Sequence, residues 1–434
     1  KHTISACIER MVLSAYSLRN SQWSGPSLAG KQRILQVATR MRFALFEIDD
    51  LCLSLMVNSA NRDGTKQVAS AQGERSGQLF ITTNPGMEDV VRDELSGRLQ
   101  AANLPPVAIE LNPFGFGGQV WVEGGETERL CQIAMKLRSI HHVFEPLHRF
   151  TLPPEGALQY IEAEIERLDI EAMETAKTFR VTSRRSGEHD FGSVDVQRRA
   201  GAVLWRRYST AVDLENSDVE VRVDVFEQTC LVSFQRTHKS LSKRFVRRYQ
   251  PRVALKASVA YALLHYARVG EKSDGALLDP FCGSGTILFE AAESFPHLSL
   301  FGSDIDQRVV DCTRENASAL GCAERMALCQ GDARELDAVF PDLHFDYIAT
   351  NPPYGMHFGQ HLNFDRFYTR VLQQCWYRLQ HGGRLVLIAW KYRLFSRAVK
   401  RTGLFRVRGE RAVETGGLHT RIFVLDRIDR EGEN

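Results

Sequence analysis

The feature that most constrains this chain is a series of four apolar segments, each of strand length and each followed at once by a polar cluster. The segments cover residues 276–278, 298–303, 326–330 and 345–350. Polar clusters at the carboxyl ends of strands mark the edge at which open α/β sheets bind ligands. The sequence therefore predicts a Rossmann-like α/β domain, over residues 251–434, with a ligand site at this edge.

The first polar cluster has the composition of a ligand-binding turn. It reads Asp-Pro-Phe-Cys-Gly-Ser-Gly-Thr over residues 279–286, and a helical run follows from Ile287. Its glycines let the backbone approach a ligand, and the helix N-terminus offers free N–H groups to a carboxylate or phosphate. Asp304 ends the second strand 21 residues after Gly283, a spacing that suits hydrogen bonds from a ribose. Asp332 ends the third strand, so three acidic side chains are expected around one ligand.

The fourth strand ends in Asn-Pro-Pro-Tyr, residues 351–354. Together with the three acidic strand ends, this tetrapeptide resembles class I S-adenosylmethionine-dependent methyltransferases that methylate a planar nitrogen. The resemblance implies S-adenosylmethionine as cofactor, with Asp279 near its ammonium, Asp304 on its ribose and Asp332 on its adenine. The alternative for these aspartates is a capping, turn or solvated-loop role. The expected cofactor-binding set is Asp279, Phe281, Gly283, Ser284, Gly285, Thr286, Asp304, Ile305, Asp332, Ala333 and Asn351.

The tetrapeptide also predicts the acceptor chemistry. The lone pair of an exocyclic amine is delocalised into its ring, so the amine is a poor nucleophile. The side-chain oxygen of Asn351 and the carbonyl of Pro352 would accept its two N–H bonds, and Tyr354 would stack on a flipped base. We predict these three residues as catalytic, with no general base. No metal site is predicted, because the nine cysteines include no Cys-x-x-Cys pair.

Two further α/β patterns precede this domain. Residues 76–145 alternate strands and helices, which predicts a ferredoxin-like α+β domain with a helix over residues 126–144. Residues 146–250 resemble a THUMP domain, the RNA-binding module of several tRNA-modifying enzymes. The resemblance depends on the turn Arg-Arg-Ser-Gly at residues 184–187 and the basic Lys-Arg-Phe-Val-Arg at residues 243–247. Ser-Leu at residues 240–241 departs from the Pro-Leu of most members.

A basic segment joins the two regions. The chain is nearly neutral at +2, yet residues 236–252 contain seven Lys or Arg and no acidic residue. Charge runs are usually solvated, but the interleaved aromatic residues and the THUMP-like context favour phosphate contact. The predicted RNA-binding residues are Arg184, Arg185, Lys239, Lys243, Arg244, Arg247 and Arg248.

The combination of modules resembles the THUMP-domain class I RNA methyltransferases that modify guanine N2 in the tRNA acceptor stem. The resemblance implies tRNA as substrate, with ribosomal or other small RNA as alternatives, and in eukaryotes a small activating protein partner. Adenine-N6 and glutamine-N5 methyltransferases share the tetrapeptide and stay as alternatives. A non-enzymatic RNA-binding assembly factor is a further alternative, against which the intact Asp279, Asp304, Asp332 and Asn351 argue.

Residues 1–75 match neither module and are expected to form a helical extension and linker, since apolar residues from Ile34 to Ile48 recur at helical spacing. Before Phe43, Glu9 is the only acidic residue, against seven Lys or Arg and six Ser, a composition similar to a transit peptide. We expect a cytoplasmic protein, with an organellar location as the alternative. No uncharged apolar run of about 18 residues occurs, so no membrane partner is expected.

Overall fold

The computed structural model describes residues 77–248, 254–272, 274–356 and 359–429. The predicted N-terminal helical extension lies outside these residues, as does most of its linker. Within the described ranges, no helix has the length and apolar character needed to cross a membrane.

The N-terminal half contains nine strands in one sheet. Their bounds are β1 Gln78–Thr83, β2 Ala108–Leu111, β3 Gln119–Glu123, β4 Ile140–Thr151, β5 Thr178–Thr182, β6 Arg185–Ser186, β7 Ala211–Val212, β8 Val219–Phe226 and β9 Thr229–Gln235. The strand order is β2-β3-β1-β4-β9-β8-β5-β7, and β6 pairs with β8. The long β4 pairs with β1 on one side and β9 on the other. The proposed boundary between residues 145 and 146 therefore falls inside a strand that both patterns share.

Helices cover this sheet, and their apolar faces form its core. They are α1 Glu88–Ala101, α2 Thr127–Ala134, α3 Ala157–Glu166, α4 Glu171–Thr175 and α5 Ser193–Tyr208. The helix predicted over residues 126–144 is wrong in its second half, because α2 ends at Ala134 and β4 begins at Ile140. Ile140 and Val143 are buried in register with β1, and β-branched side chains fit such a pleated surface well.

The C-terminal half contains a second, seven-stranded sheet. Its strands are β10 Gly275–Asp279, β11 Leu298–Asp304, β12 Met326–Gln330, β13 Phe345–Thr350, β14 Leu379–Ala389, β15 Phe405–Thr415 and β16 Leu418–Arg427. The order is β12-β11-β10-β13-β14-β16-β15, with the first five strands parallel and the last two antiparallel. The predicted Rossmann-like fold is confirmed, and its strand order reverses between β10 and β13.

Helices pack on both faces of this sheet. Their bounds are α6 Ala257–Tyr266, α7 Thr286–Ser294, α8 Gln307–Ala319, α9 Leu336–Val339, α10 Phe364–Arg378 and α11 Tyr392–Thr402. Gly382 and Gly383, predicted to stop α10, lie instead inside β14. Gly382 has φ +72° where the pairing of β14 with β13 is irregular, so this glycine serves a bulge.

Helix α7 is tied to the N-terminal half by a buried ion cluster. The fully buried carboxylate of Glu290 pairs with Arg138, and Nη1 of Arg244 lies 3.6 Å from the same carboxylate. Arg138 precedes β4, whereas Arg244 belongs to the segment that leads into the catalytic sheet. Because α7 begins at the turn after β10, this cluster connects the THUMP side of the molecule to the predicted cofactor site.

Candidate active site

A cavity of about 520 Å³ opens at the carboxyl edge of the C-terminal sheet. Its walls come from the ends of β10, β11, β12 and β13, the four strands that the sequence predicted. The predicted residues that border it are Asp279, Phe281, Gly283, Ser284, Thr286, Asp304, Ile305, Asp332, Ala333, Asn351, Pro352 and Tyr354. The structure therefore brings the donor and acceptor sets of the prediction into one cavity.

Gly285 is the predicted cofactor residue that does not border the cavity. Its φ is +83°, and a Cβ at this position would lie 2.5 Å from the ring of Phe289 and 2.8 Å from Cγ2 of Thr313. The glycine is required by the close packing at the start of α7. Its predicted role is corrected from ligand contact to support of the turn.

Asp279 is 1% exposed at the end of β10. Its Oδ1 accepts hydrogen bonds from Oγ1 of Thr350 (2.6 Å) and from the backbone N–H of Phe281 (3.2 Å). Burial raises the pKa of Asp279 to about 7, although the two hydrogen bonds act in the opposite direction. A cation in the cavity would therefore find a carboxyl that is ready to ionise near neutral pH.

Asp304 connects the end of β11 to the turn after β10. Its carboxylate accepts from the backbone N–H groups of Gly283 (3.2 Å) and Asp306 (3.1 Å). Burial raises the pKa of Asp304. Asp306 itself caps α8 by accepting from the backbone N–H of Arg308 (3.0 Å), so Asp304 is the better candidate for ribose hydroxyls.

Asp332 has a partner that the sequence analysis missed. Nε of Arg334 lies 3.0 Å from both carboxylate oxygens of Asp332, and Arg334 also borders the cavity. Burial would raise the pKa of Asp332, but the hydrogen bonds from Arg334 hold it below the ordinary value. The signal was present as an arginine two residues after the aspartate. Ile305, 62% exposed, offers an apolar surface at the same end of the cavity.

The acceptor end of the cavity is formed by the tetrapeptide. Oδ1 of Asn351 is buried and has no hydrogen-bond partner among the residues that the structure describes. A buried amide oxygen without a donor is costly, so it favours a ligand that brings an N–H group. Pro352 is buried beside it, and burial raises the pKa of Tyr354, whose phenol stays neutral.

These contacts define what the site can hold. The carboxylates and the turn fit a ligand with an ammonium, hydroxyls and an amine, which are the groups that S-adenosylmethionine carries. The Asn351 end fits a second ligand with N–H donors and a flat ring. Across the described ranges, no group of three or more His, Cys, Asp or Glu could hold a metal ion.

The predicted RNA-binding residues fall into two groups. Arg184, Lys239, Lys243 and Arg248 are exposed. Arg185 instead braces its own turn, since its Nη1 donates to the carbonyl of Gly187 (2.6 Å) and lies 3.1 Å from Nδ1 of His189. The exposed group stays available for phosphate contact.

Arg244 and Arg247 lie inside the protein, contrary to the expectation of a phosphate-facing surface. The Arg244 side chain is 16% exposed and donates to the carbonyl of Arg138 beside Glu290. Arg247 donates to the hydroxyls of Ser284 and Thr286. The physical reason is that buried acceptors, which are distant in sequence, draw both guanidinium groups inward.

Fold and site together define a class I methyltransferase domain with an acceptor site for an amine. The family described as "RMKL-like, methyltransferase domain" matches residues 244–421, and the THUMP domain family matches residues 157–235. The tRNA (guanine(6)-N2)-methyltransferase of Thermus thermophilus is 35% identical over 361 residues, which cover 81% of this chain and 99% of the relative. The enzyme of the same description from Archaeoglobus fulgidus is 31% identical over 80% of this chain and 92% of its own length.

The solved structures agree with the sequence relatives. The crystal structure of TrmN from Thermus thermophilus matches with a TM-score of 0.70 and 34% identity, over 81% of this chain and 99% of that chain. The chain therefore belongs to the family of THUMP-domain RNA (guanine-N2) methyltransferases. The family predicted from the sequence is confirmed.

Proposed function

We propose that the protein transfers a methyl group from S-adenosylmethionine to the exocyclic N2 of a guanosine in tRNA. The position proposed is guanosine 6, which the names of the two relatives specify. The observation that carries the proposal is the unpartnered Oδ1 of Asn351, buried in the cavity where the carboxylates of Asp279 and Asp304 also lie.

The donor end of the cavity would hold the cofactor by complementary polar groups. Asp279 would face the ammonium, Asp304 the ribose hydroxyls and Asp332 the adenine amine. When bound, S-adenosylmethionine supplies an electrophilic methyl group on a positively charged sulfur. Two of these carboxylates are already fixed by hydrogen bonds from backbone or hydroxyl groups, so little ordering is left for binding to complete.

The acceptor end would orient the guanine. Oδ1 of Asn351 and the carbonyl of Pro352 accept the two N–H bonds of the amine, which favours a pyramidal nitrogen with its lone pair exposed. The proline ring fixes the backbone that carries this carbonyl. The neutral ring of Tyr354 gives the flipped base a stacking surface. No base is needed before transfer, because the cationic product can lose its proton afterwards.

The deciding experiment identifies the product. The protein is incubated with labelled S-adenosylmethionine and total RNA, and the RNA fractions are digested to nucleosides for mass spectrometry. We expect N2-methylguanosine, with the label in tRNA. N6-methyladenosine would refute the base assignment, whereas N2-methylguanosine from ribosomal or another small RNA would keep the chemistry and change the substrate.

The affinity for S-adenosylhomocysteine should depend on pH through Asp279. The pKa of Asp279 is raised to about 7, and the ligand's ammonium requires the ionised carboxylate. Below pH 7 binding must also release a proton, so the affinity should fall by up to about tenfold per pH unit and level off above pH 7. Calorimetry between about pH 6 and about pH 8 measures this, with Asp279→Asn as the variant that cannot titrate. A flat profile for the wild type would contradict the assignment.

The exposed cations of the linker should contribute to RNA affinity in proportion to their number. Replacing Lys239, Lys243 and Arg248 by Ala should weaken tRNA binding and reduce the slope of log affinity against log salt by up to about 0.9 per lost phosphate contact. Filter binding at several salt concentrations provides the slope. Lys272→Ala is the matched control, because Lys272 lies before β10 at the opposite edge of the sheet from the cavity. Equal slopes for both proteins would place the phosphate contacts elsewhere.

A further inference from the structure

The linker between the THUMP domain and the catalytic sheet places one guanidinium group at the turn after β10. Nη1 of Arg247 donates to Oγ of Ser284 (3.0 Å), and Nη2 donates to Oγ1 of Thr286 (2.9 Å). Ser284 and Thr286 are both buried and both border the cavity. Arg247 thus stands directly behind the wall of the donor site.

Aromatic packing fixes the guanidinium in this position. Its central carbon lies 5.6 Å from the ring centroid of Phe245 and 5.9 Å from that of Phe289. Phe245 belongs to the linker and Phe289 to α7, and their rings meet edge to face at 5.9 Å. The linker and the donor turn are therefore held together around Arg247.

Arg247 differs from its neighbour Arg244 in having no counter-charge. Arg244 lies beside Glu290, but no carboxylate in the described part of the chain forms an ion pair with Arg247, whose Nε is buried without a hydrogen-bond partner. Burial is the cause that lowers the pKa of its guanidinium. An unpaired cation is costly to bury, so this arrangement favours an anion nearby.

The two hydroxyl groups relay this preference into the cavity. A guanidinium only donates, so the oxygens of Ser284 and Thr286 accept from Arg247, and each hydroxyl keeps its own proton to donate. Helix α7 begins at Thr286, and its first N–H groups and its dipole favour negative charge at the same place. Three independent features thus direct positive potential at one point of the wall.

We propose that Arg247 is the positioning residue for the carboxylate at the amino-acid end of the methyl donor, acting through the hydroxyls of Ser284 and Thr286. The segment that leaves the THUMP domain then completes the donor site of the catalytic domain. This inference rests on the proposed use of S-adenosylmethionine. It moves Arg247 from the RNA surface, where the sequence pattern placed it, to the donor site.

The test compares two ligands that differ at the carboxylate end. S-adenosylhomocysteine carries the amino-acid group, whereas 5′-methylthioadenosine lacks it and keeps the adenosine and the thioether. Their affinities are measured by calorimetry on the wild type, Arg247→Met and Arg247→Lys. Methionine keeps an unbranched side chain between Phe245 and Phe289, so packing is largely preserved.

We expect Arg247→Met to lower the affinity for S-adenosylhomocysteine about tenfold and that for 5′-methylthioadenosine by less than about twofold. Arg247→Lys should lose less, because it keeps the charge without the two-pronged geometry. Arg248→Met, at the exposed neighbour, is the matched control and should bind both ligands as the wild type does.

The route through the hydroxyls has its own variants. Ser284→Ala and Thr286→Val should each lower the affinity for S-adenosylhomocysteine selectively. Adding Arg247→Met to the double hydroxyl variant should then cost little more, because groups that act as one unit are not additive. Full additivity would show that Arg247 does not act through these hydroxyls.

Three outcomes would overturn the inference or its premise. Equal losses for both ligands in Arg247→Met would show that Arg247 only supports the turn, and an unchanged affinity for S-adenosylhomocysteine would show that it does not act on the donor. A wild type that binds neither ligand would refute the proposed cofactor itself, which separates the two failures. If circular dichroism shows Arg247→Met to be unfolded, the hydroxyl variants decide by the same ligand comparison.

Discussion

Replacing Asn351 by Ala is expected to lower the rate of methyl transfer by on the order of 10²- to 10³-fold, which is the usual cost of removing one preorganised polar group at a reacting centre. Oδ1 of Asn351 is buried in the cavity and has no partner among the described residues, so it is free for the amine of the acceptor. Single-turnover rates with tRNA measure the loss, and calorimetry should show that S-adenosylhomocysteine still binds.

Two further variants sharpen this prediction. Asn351→Asp keeps an acceptor oxygen and should retain part of the activity lost in Asn351→Ala. Asn363→Ala is the matched control, because Asn363 caps α10 by accepting from the backbone N–H of Arg366 (3.2 Å) and does not border the cavity. It should change stability and leave the transfer rate near that of the wild type. An Asn351→Ala enzyme with the wild-type rate would remove the amide from the acceptor site.

The donor and acceptor residues could be predicted because the catalytic sheet follows directly from its apolar segments. Once residues 276–278 and 345–350 are strands of one parallel sheet, their polar ends must meet at one edge. The contact between Asp304 and the N–H of Gly283 is the structural consequence of the spacing read from the sequence. Local pattern and global fold agree here, so little else was needed.

The N-terminal sheet could not be predicted to the same extent. The segment after α2 has apolar residues at spacings that fit a helix as well as a strand. Its identity as β4 depends on pairing with β1 and with β9, which lies about 90 residues further along the chain. No local pattern carries that information. The shared strand β4 also explains why two apparently separate α/β patterns belong to one sheet.

The basic segment shows a different limit. Its composition reports the charge of residues 236–252 but not the direction in which each side chain points. Arg244 turns inward because Glu290 and the carbonyl of Arg138 lie behind it, and Arg247 because Ser284 and Thr286 do. Arg184, Lys239, Lys243 and Arg248 have no such acceptors for their side chains among the described residues and stay exposed.

The buried ion cluster at α7 gives the second large effect. Replacing Glu290 by Ala should lower the free energy of unfolding by about 3–5 kcal/mol, because it leaves the guanidinium groups of Arg138 and Arg244 buried without their counter-charge. The Glu290 side chain is 0% exposed, and burial raises its pKa although both arginines oppose that shift. Urea unfolding followed by circular dichroism measures the change.

The controls distinguish the unpaired charges from a simple loss of packing. Glu293 also pairs with Arg138 but is 47% exposed, so Glu293→Ala should cost less than about 1 kcal/mol. Replacing Glu290, Arg138 and Arg244 together by Met removes all three charges and should recover most of the stability lost in Glu290→Ala, because an apolar replacement of a buried ion cluster is often neutral. Equal losses in the single and triple variants would show that the shape of the Glu290 side chain, and not its charge, holds the THUMP side of the molecule to the helix that begins the donor site.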